Sequence, residues 1–218
     1  MPAKLTRRQF ILRTAAGLGA VALACGGTTT LATLTPAFEY TEKLALTGAD
    51  AMNKKILVAY ATRCGSTAEV AAAVAEELSK GGLPVDLRPI KSVDSLEGYG
   101  AVVLGSAIRM GNWVPEALKF VQNHQSELQQ MPAAVFSVHM NNLGEDETSR
   151  AARVGYHQGV RALITPAAEA WFAGVIDQKK MALIDRWITS AMKAVNEDKR
   201  DWSAIRGWTA GLELGLAV

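Results

Sequence analysis

"KKILVAYATRCGSTAEVAAAVAEEL", residues 54–78, decides the fold. Lys54–Tyr60 is a short run of Ile, Leu and Val, the pattern of a strand buried on both faces of a parallel sheet. An alanine-rich stretch with helical spacing follows and ends at Gly81-Gly82. Ser66 and Glu69 have capping-box spacing at its start. Between strand and helix lie Thr62, Arg63, Cys64, Gly65, Ser66 and Thr67. A helix start presents unpaired N–H groups and the positive end of the helix dipole. Hydroxyls add donors there, and a glycine lets the backbone come close to a ligand. The segment therefore reads as a cradle for a phosphate. It lacks the lysine of a nucleotide P-loop, and the chain has no G-x-G-x-x-G for a dinucleotide. The alternative is a well-capped helix whose hydroxyls only bond the backbone.

The same alternation continues along the chain. Pro84–Ile90, Gly100–Ser106, Ala133–Val138 and Ala170–Ile176 read as strands. Helices are expected from Pro115 to about Leu128, over Glu147–Leu163, Gln178–Val195 and Asp201–Gly215. Hydrophobic strands alternating with helices imply an α/β fold, a parallel sheet covered on both faces. Ligands of such sheets sit beyond the carboxyl ends of the strands, where the hydroxyl turn lies.

The chain of 218 residues carries 23 Lys plus Arg against 21 Asp plus Glu. From Lys54 onward the two classes balance at 18 each. The folded part is thus neutral, without the basic stripe that a nucleic-acid partner requires. The three histidines, His124, His139 and His157, are scattered, and no spacing predicts a metal site. Cys64 is the single thiol of the domain, so no internal disulfide is expected.

The first residues read as an address. Thr6-Arg7-Arg8-Gln9-Phe10-Ile11-Leu12 precedes an apolar stretch, Thr14–Cys25, too short to span a bilayer, and residues 1–36 hold no acid. This is the pattern of a twin-arginine export signal over residues 1–25, which predicts a translocase partner and an extracytoplasmic location. Ala22-Leu23-Ala24 satisfies a small-x-small cleavage rule and also resembles a lipoprotein box, leaving open a lipid anchor on Cys25. Residues 26–53, rich in Thr and Gly, read as a linker, and residues 54–218 as the domain.

"TRCGST" after one strand and "GSAIRMGNW" after a later one resemble the FMN loops of the flavodoxin family. The resemblance implies a doubly wound, five-stranded parallel sheet of order 2-1-3-4-5 with FMN at its switch point, for which flavodoxin is a known example. Thr62, Arg63, Cys64, Gly65, Ser66 and Thr67 would hold the phosphate, Cys64 through its backbone N–H. Ser106, Ala107, Ile108, Arg109, Gly111 and Trp113 would flank the isoalloxazine ring, with Ser137, His139 and Asn141 on its other side. "MPAAVFSVHMN", "IDRW" and "RDWSAIRGW" narrow the resemblance to the flavodoxin-domain branch that includes menaquinone-dependent protoporphyrinogen dehydrogenase.

That branch implies an FMN-dependent oxidoreductase with a membrane quinone, or a small redox protein, as partner. An electron carrier is the second reading and a binding module without FMN the third. Carriers of this family are strongly acidic, whereas this domain is neutral, which favours the enzyme. Arg109 is the candidate to stabilise a reduced ring or pair with a substrate carboxylate; its plainer role is an ion pair with Glu116 or another acid. His139 is the candidate proton shuttle, its plainer role a backbone hydrogen bond. Trp113 is expected to stack on a ring or simply to pack. Met181, Ile184, Trp187 and Ile188 share a helix face that serves as packing, a lid, a dimer face or a membrane-surface contact.

Overall fold

The computed structural model describes residues 55–177 and 196–215. Five parallel strands form the sheet: β1 (Lys55–Ala61), β2 (Val85–Pro89), β3 (Tyr99–Arg109), β4 (Ala133–His139) and β5 (Ala168–Ala173), in the order β2-β1-β3-β4-β5. This is the doubly wound order expected of the flavodoxin fold.

Alternation along β1 splits the core into two layers. Ile56, Val58 and Tyr60 face α1 (Ser66–Ser79) and the final helix, through Val70, Val74 and Ile205. Leu57, Ala59 and Ala61 face α2 (Pro115–Asn123) and its neighbours, through Val114, Phe120 and Val160. Every β1 residue after Lys55 is buried, as a strand covered on both faces must be.

Several boundaries differ from expectation, each for a local reason. The helix after Pro115 breaks at His124 (φ −109°) into α2 and α3 (Gln125–Leu128). The helix expected over Glu147–Leu163 is two pieces, α4 (Glu147–Gly155) and α5 (Gln158–Arg161), parted where the fully buried His157 turns inward. The last strand stops at Ala173. Beyond Gly174, Val175–Ile176 pairs antiparallel with Glu197–Asp198 as a two-stranded ribbon. The final helix, α6 (Trp202–Ala210), is capped by Asp201, which accepts from the Ala204 N–H at 2.9 Å, and ends short of Gly215. The segments read as signal, linker and the helix Gln178–Val195 lie outside the described residues.

Candidate functional site

The turn after β1 is built by its own side chains. Thr62 Oγ1 accepts from the Gly65 N–H at 3.0 Å, and Gly65 takes φ +91°, a left-handed conformation that suits glycine. Gly65 is the N-cap of α1, so Ser66 is already inside the helix and the expected Ser66–Glu69 capping box does not form. Glu69 pairs instead with Arg200, which reaches in from the returning chain. No side chain caps α1. Its first-turn N–H groups have no intrahelical acceptor, as helix geometry dictates.

Below this start, Thr67 is fully buried, and its Oγ1 has no hydrogen-bond partner among the described residues. An unpaired buried hydroxyl costs about 1–3 kcal/mol, a cost that an acceptor from outside the described residues would remove. Gly174 closes the other side. A Cβ there would stand 2.8 Å from Val138 Cγ1 and 3.3 Å from Ser66 Oγ. Cys64 Sγ lies 3.9 Å from the Val175 carbonyl oxygen, and Arg63 is held by Glu116 of α2 at 2.7 Å. Glu116 is thus a partner of Arg63.

The segment after β3 is a hairpin rather than an open loop. Ile108 and Arg109 pair antiparallel with Trp113 and Asn112. Met110 (φ +51°) and Gly111 (φ +78°) form its two-residue tip, the positive pair that a type I′ turn requires. Met110 is 89% exposed, and Ala107, Ile108 and Arg109 are partly exposed. Ser106 is buried: its hydroxyl donates to the Ala107 carbonyl at 2.9 Å and accepts from the Val114 N–H at 3.2 Å. Its side chain therefore braces the hairpin base.

Trp113 is 2% exposed, and its indole N–H donates to Ser137 Oγ at 2.9 Å. The indole is committed to the interior, the packing alternative of the two open for it. Ser137 in turn is 2.6 Å from His157 Nε2, and His157 Nδ1 is 2.8 Å from Glu169 Oε2. Arg161 Nε completes the chain on Glu169 Oε1 at 2.8 Å. Serine, histidine and carboxylate here have the connectivity of an acyl-transfer triad. Ser137 and His157 are both fully buried, however, and the Ser137 hydroxyl is already engaged by Trp113 and His157, as a structural serine rather than a nucleophile.

The third segment follows β4. His139 Nδ1 lies 2.7 Å from the Asn141 carbonyl, so Nδ1–H donates, while Nε2 is buried without a hydrogen-bond partner among the described residues. Arg153 gathers the turn by donating to the Asn142 and Gly144 carbonyls, each at 2.6 Å. The Asn142 amide donates to the Tyr156 hydroxyl at 2.7 Å. The sequence reading missed Arg153, Tyr156 and Gly174; a glycine inside the strand expected over Ala170–Ile176 was the available signal for the last.

Burial lowers both His139 and His157 below the ordinary 6.5, opposed at His157 by Glu169. Glu169 is itself held down, against the upward push of burial, by hydrogen bonds from Arg161 and His157. Both histidines fold neutral. Below 6.5 the unfolded chain binds more protons than the native one, so their contribution is fully present above that value and is lost as pH falls through the lowered pKa values. Urea unfolding at about pH 7.5 and about pH 5.5 is expected to show a lower midpoint at the acid value. A His157→Gln change is expected to flatten that difference.

The turn Thr62–Thr67, the hairpin residues Ala107–Gly111 and the segment His139–Asn141 all leave the carboxyl ends of adjacent strands, in register Ala61↔Ser106↔Ser137. The flavodoxin domain family model matches residues 57–203, which contain all three. The chain belongs to the flavodoxin domain family.

Curated relatives carry a more specific name. Protoporphyrinogen IX dehydrogenase [quinone] of Escherichia coli (strain K12) is 34% identical over 88 residues, covering 39% of this chain and 49% of that protein. This chain thus spans about half the length of that relative. The protein of the same name from Leishmania major is 27% identical over 178 residues, covering 75% of this chain and 77% of that one. Among solved structures, a flavodoxin from the domain Archaea aligns with a TM-score of 0.41 at 19% identity, over 64% of this chain and 97% of its own. Oxidised flavodoxin 2 from Bacillus cereus aligns at 0.40 and 20%, over 64% and 99%.

A flavin is the cofactor that this family implies, and the residues present fit a phosphorylated one. The fit rests on Thr67 Oγ1, buried and unpaired, beside a helix start that no side chain caps. Ser66 and Thr67 would hold the phosphate.

Proposed function

We propose that this protein is an exported FMN-dependent oxidoreductase that passes electrons to a membrane quinone. The observation that carries the cofactor is the unpaired Thr67 hydroxyl under the uncapped start of α1. Quinone chemistry is supported by the two relatives whose name includes it, and by a domain whose charges balance, unlike the strongly acidic soluble carriers.

Bound FMN would supply transfer of electrons between donor and acceptor. The chain's own residues would do the rest. Ser66, Thr67 and the first-turn N–H groups bind the phosphate, and four or five charge-assisted hydrogen bonds at about 1.5–3 kcal/mol each outweigh any one basic side chain. The hairpin Ala107–Gly111 would offer backbone N–H and C=O groups to the ring edge. Arg109 brings a permanent positive charge to the hairpin, suited to a donor's carboxylate or an anionic ring. His139, fixed through Nδ1–H on Asn141, keeps a neutral Nε2 to take up a proton. The electron donor is of the ring-shaped, carboxylate-bearing class, protoporphyrinogen being the one that the relatives' name states.

Stopped-flow oxidation of the photoreduced protein tests this reading. A menaquinone analogue is expected to react at least about tenfold faster than it does with free reduced FMN, and Arg109→Ala to slow the step. Quinone reacting no faster than with free FMN, while a small redox protein reacts rapidly, would make the protein a carrier.

Export rests on Arg7-Arg8 and the short apolar stretch after them. Replacing both arginines with lysine is expected to hold the protein inside the cell, read by fractionation. Fatty-acid labelling that disappears in Cys25→Ala would identify a lipid anchor.

A further inference from the structure

The hairpin that bears Arg109 and Met110 is not anchored by its own tip. Both tip residues hold positive φ, and Met110 is almost entirely in water. Besides Ser106 at its base and the packing of Ala107 and Ile108, its hold on the core runs through Trp113, and beyond Trp113 through a chain of hydrogen bonds whose direction is fully determined. The indole N–H can only donate, so Ser137 Oγ accepts it. At the other end Glu169, ion-paired with Arg161, accepts only, so the proton of neutral His157 sits on Nδ1. His157 Nε2 is then a bare acceptor, and the hydroxyl of Ser137 donates to it. Stacking fixes the imidazole plane: Trp171 lies 4.8 Å away at 21°, and Trp113 meets it edge-on at 5.8 Å and 89°.

Only one arrangement satisfies every member. A protonated His157 would offer Nε2–H to Ser137, which already accepts the indole, and would leave the serine hydrogen without its acceptor. Groups facing His157 are Trp113 from the hairpin, Ser137 from β4, Glu169 and Trp171 from β5 and Arg161 from α5, with His139 adding a repulsive charge if protonated. Ser137 and His157 have no exposed surface and are bonded to one another, so they act through Trp113.

We propose that His157 is a positioning residue: through Ser137 it fixes Trp113, and with it the hairpin edge that lies against the flavin ring. This rests on the reading of the site as an FMN site. The hairpin backbone sets how strongly the ring is bonded in each oxidation state, so a loosened hairpin alters the balance between them. The phosphate end, held by α1, is untouched.

The test compares oxidised and reduced FMN as ligands of the wild type, Trp113→Phe, His157→Leu, the double variant and His157→Gln. Trp113→Phe deletes one donor and keeps an aromatic ring. His157→Gln retains an amide oxygen to accept from Ser137. The ratio of the two dissociation constants is expected to change at least about threefold in Trp113→Phe and in His157→Leu. In the double variant it should change no more than in the larger single, because both cut one chain. His157→Gln should return it toward wild type, and competition by inorganic phosphate should be equal in all.

A ratio unchanged in a folded, FMN-binding Trp113→Phe protein would overturn the proposal, as would additive effects. If His157→Leu does not fold, Trp113→Phe and His157→Gln still decide. Hydrogen exchange of the Trp113 indole N–H separates this proposal from the cofactor reading. It is expected to be slow in the FMN-free wild type and in His157→Gln, and faster in His157→Leu and in Ser137→Ala. A wild type that binds no FMN would end the cofactor reading, while equal indole exchange in all four proteins would end the role of His157.

Discussion

A Gly65→Val protein is expected to remain folded and to bind no measurable FMN. Gly65 holds φ +91°, a region that a β-branched residue enters only at a cost of about 1–3 kcal/mol. Relaxing that strain turns the Thr62–Gly65 hydrogen bond and tilts the first-turn N–H groups away from a common centre. Two charge-assisted bonds lost at about 1.5–3 kcal/mol each weaken binding by at least about 100-fold. Thr67→Val gives a complementary result of opposite sign. It removes a buried hydroxyl that has no partner, so the FMN-free protein should gain stability. The same change should weaken FMN about tenfold or more, since one acceptor contact is gone. Fluorescence titration with FMN, paired with urea unfolding of the free protein, reads both. A Thr67→Val protein that loses stability and keeps its affinity would place the hydroxyl in the core rather than in the site.

The second large effect lies behind the site, in the layer that holds β3 against β4. Phe136 is fully buried, with Phe172 at 5.9 Å and Trp208 at 6.2 Å between ring centroids. Its ring lies over Gly105: a Cβ on that glycine would come within 2.2 Å of Phe136 Cζ. Phe136→Ala is expected to cost about 3–5 kcal/mol, transfer plus cavity. Gly105→Ala is expected to cost about 1–3 kcal/mol or more, since the ring is walled in and cannot swing aside. Combining Gly105→Ala with Phe136→Leu should cost clearly less than the sum of the two singles, because the smaller side chain makes room for the methyl. Shifts in the urea midpoint at constant slope report these values. Strictly additive costs would mean that the two residues do not share this space.

Much of this was legible in residues 54–78, because a strand buried on both faces has no polar period and a turn with Gly65 and three hydroxyls has a specific use. The strand order came with the flavodoxin resemblance rather than from any pattern. The capping box misled because Ser66 and Glu69 have the right spacing, yet the left-handed turn at Gly65 starts the helix one residue early and leaves Glu69 to Arg200. The Met110-Gly111 hairpin was hidden because methionine is a poor predictor of positive φ. Trp113 was left between stacking and packing for a different reason. Its partner Ser137 is 24 residues away, and the chain then passes to His157 and Glu169 on other elements. A polar network assembled from a hairpin, two strands and a short helix leaves no local trace. It also explains why the helix expected through His157 breaks there: burial of that ring outweighs helix propensity.

Titrating the purified protein with FMN and with riboflavin tests the central claim most directly, because the two ligands differ only in the phosphate that Thr62–Thr67 is argued to hold. FMN is expected to bind at one site, with quenching of its fluorescence, at least about 100-fold more tightly than riboflavin. Equal affinity for the two, or no binding of either, would contradict the account.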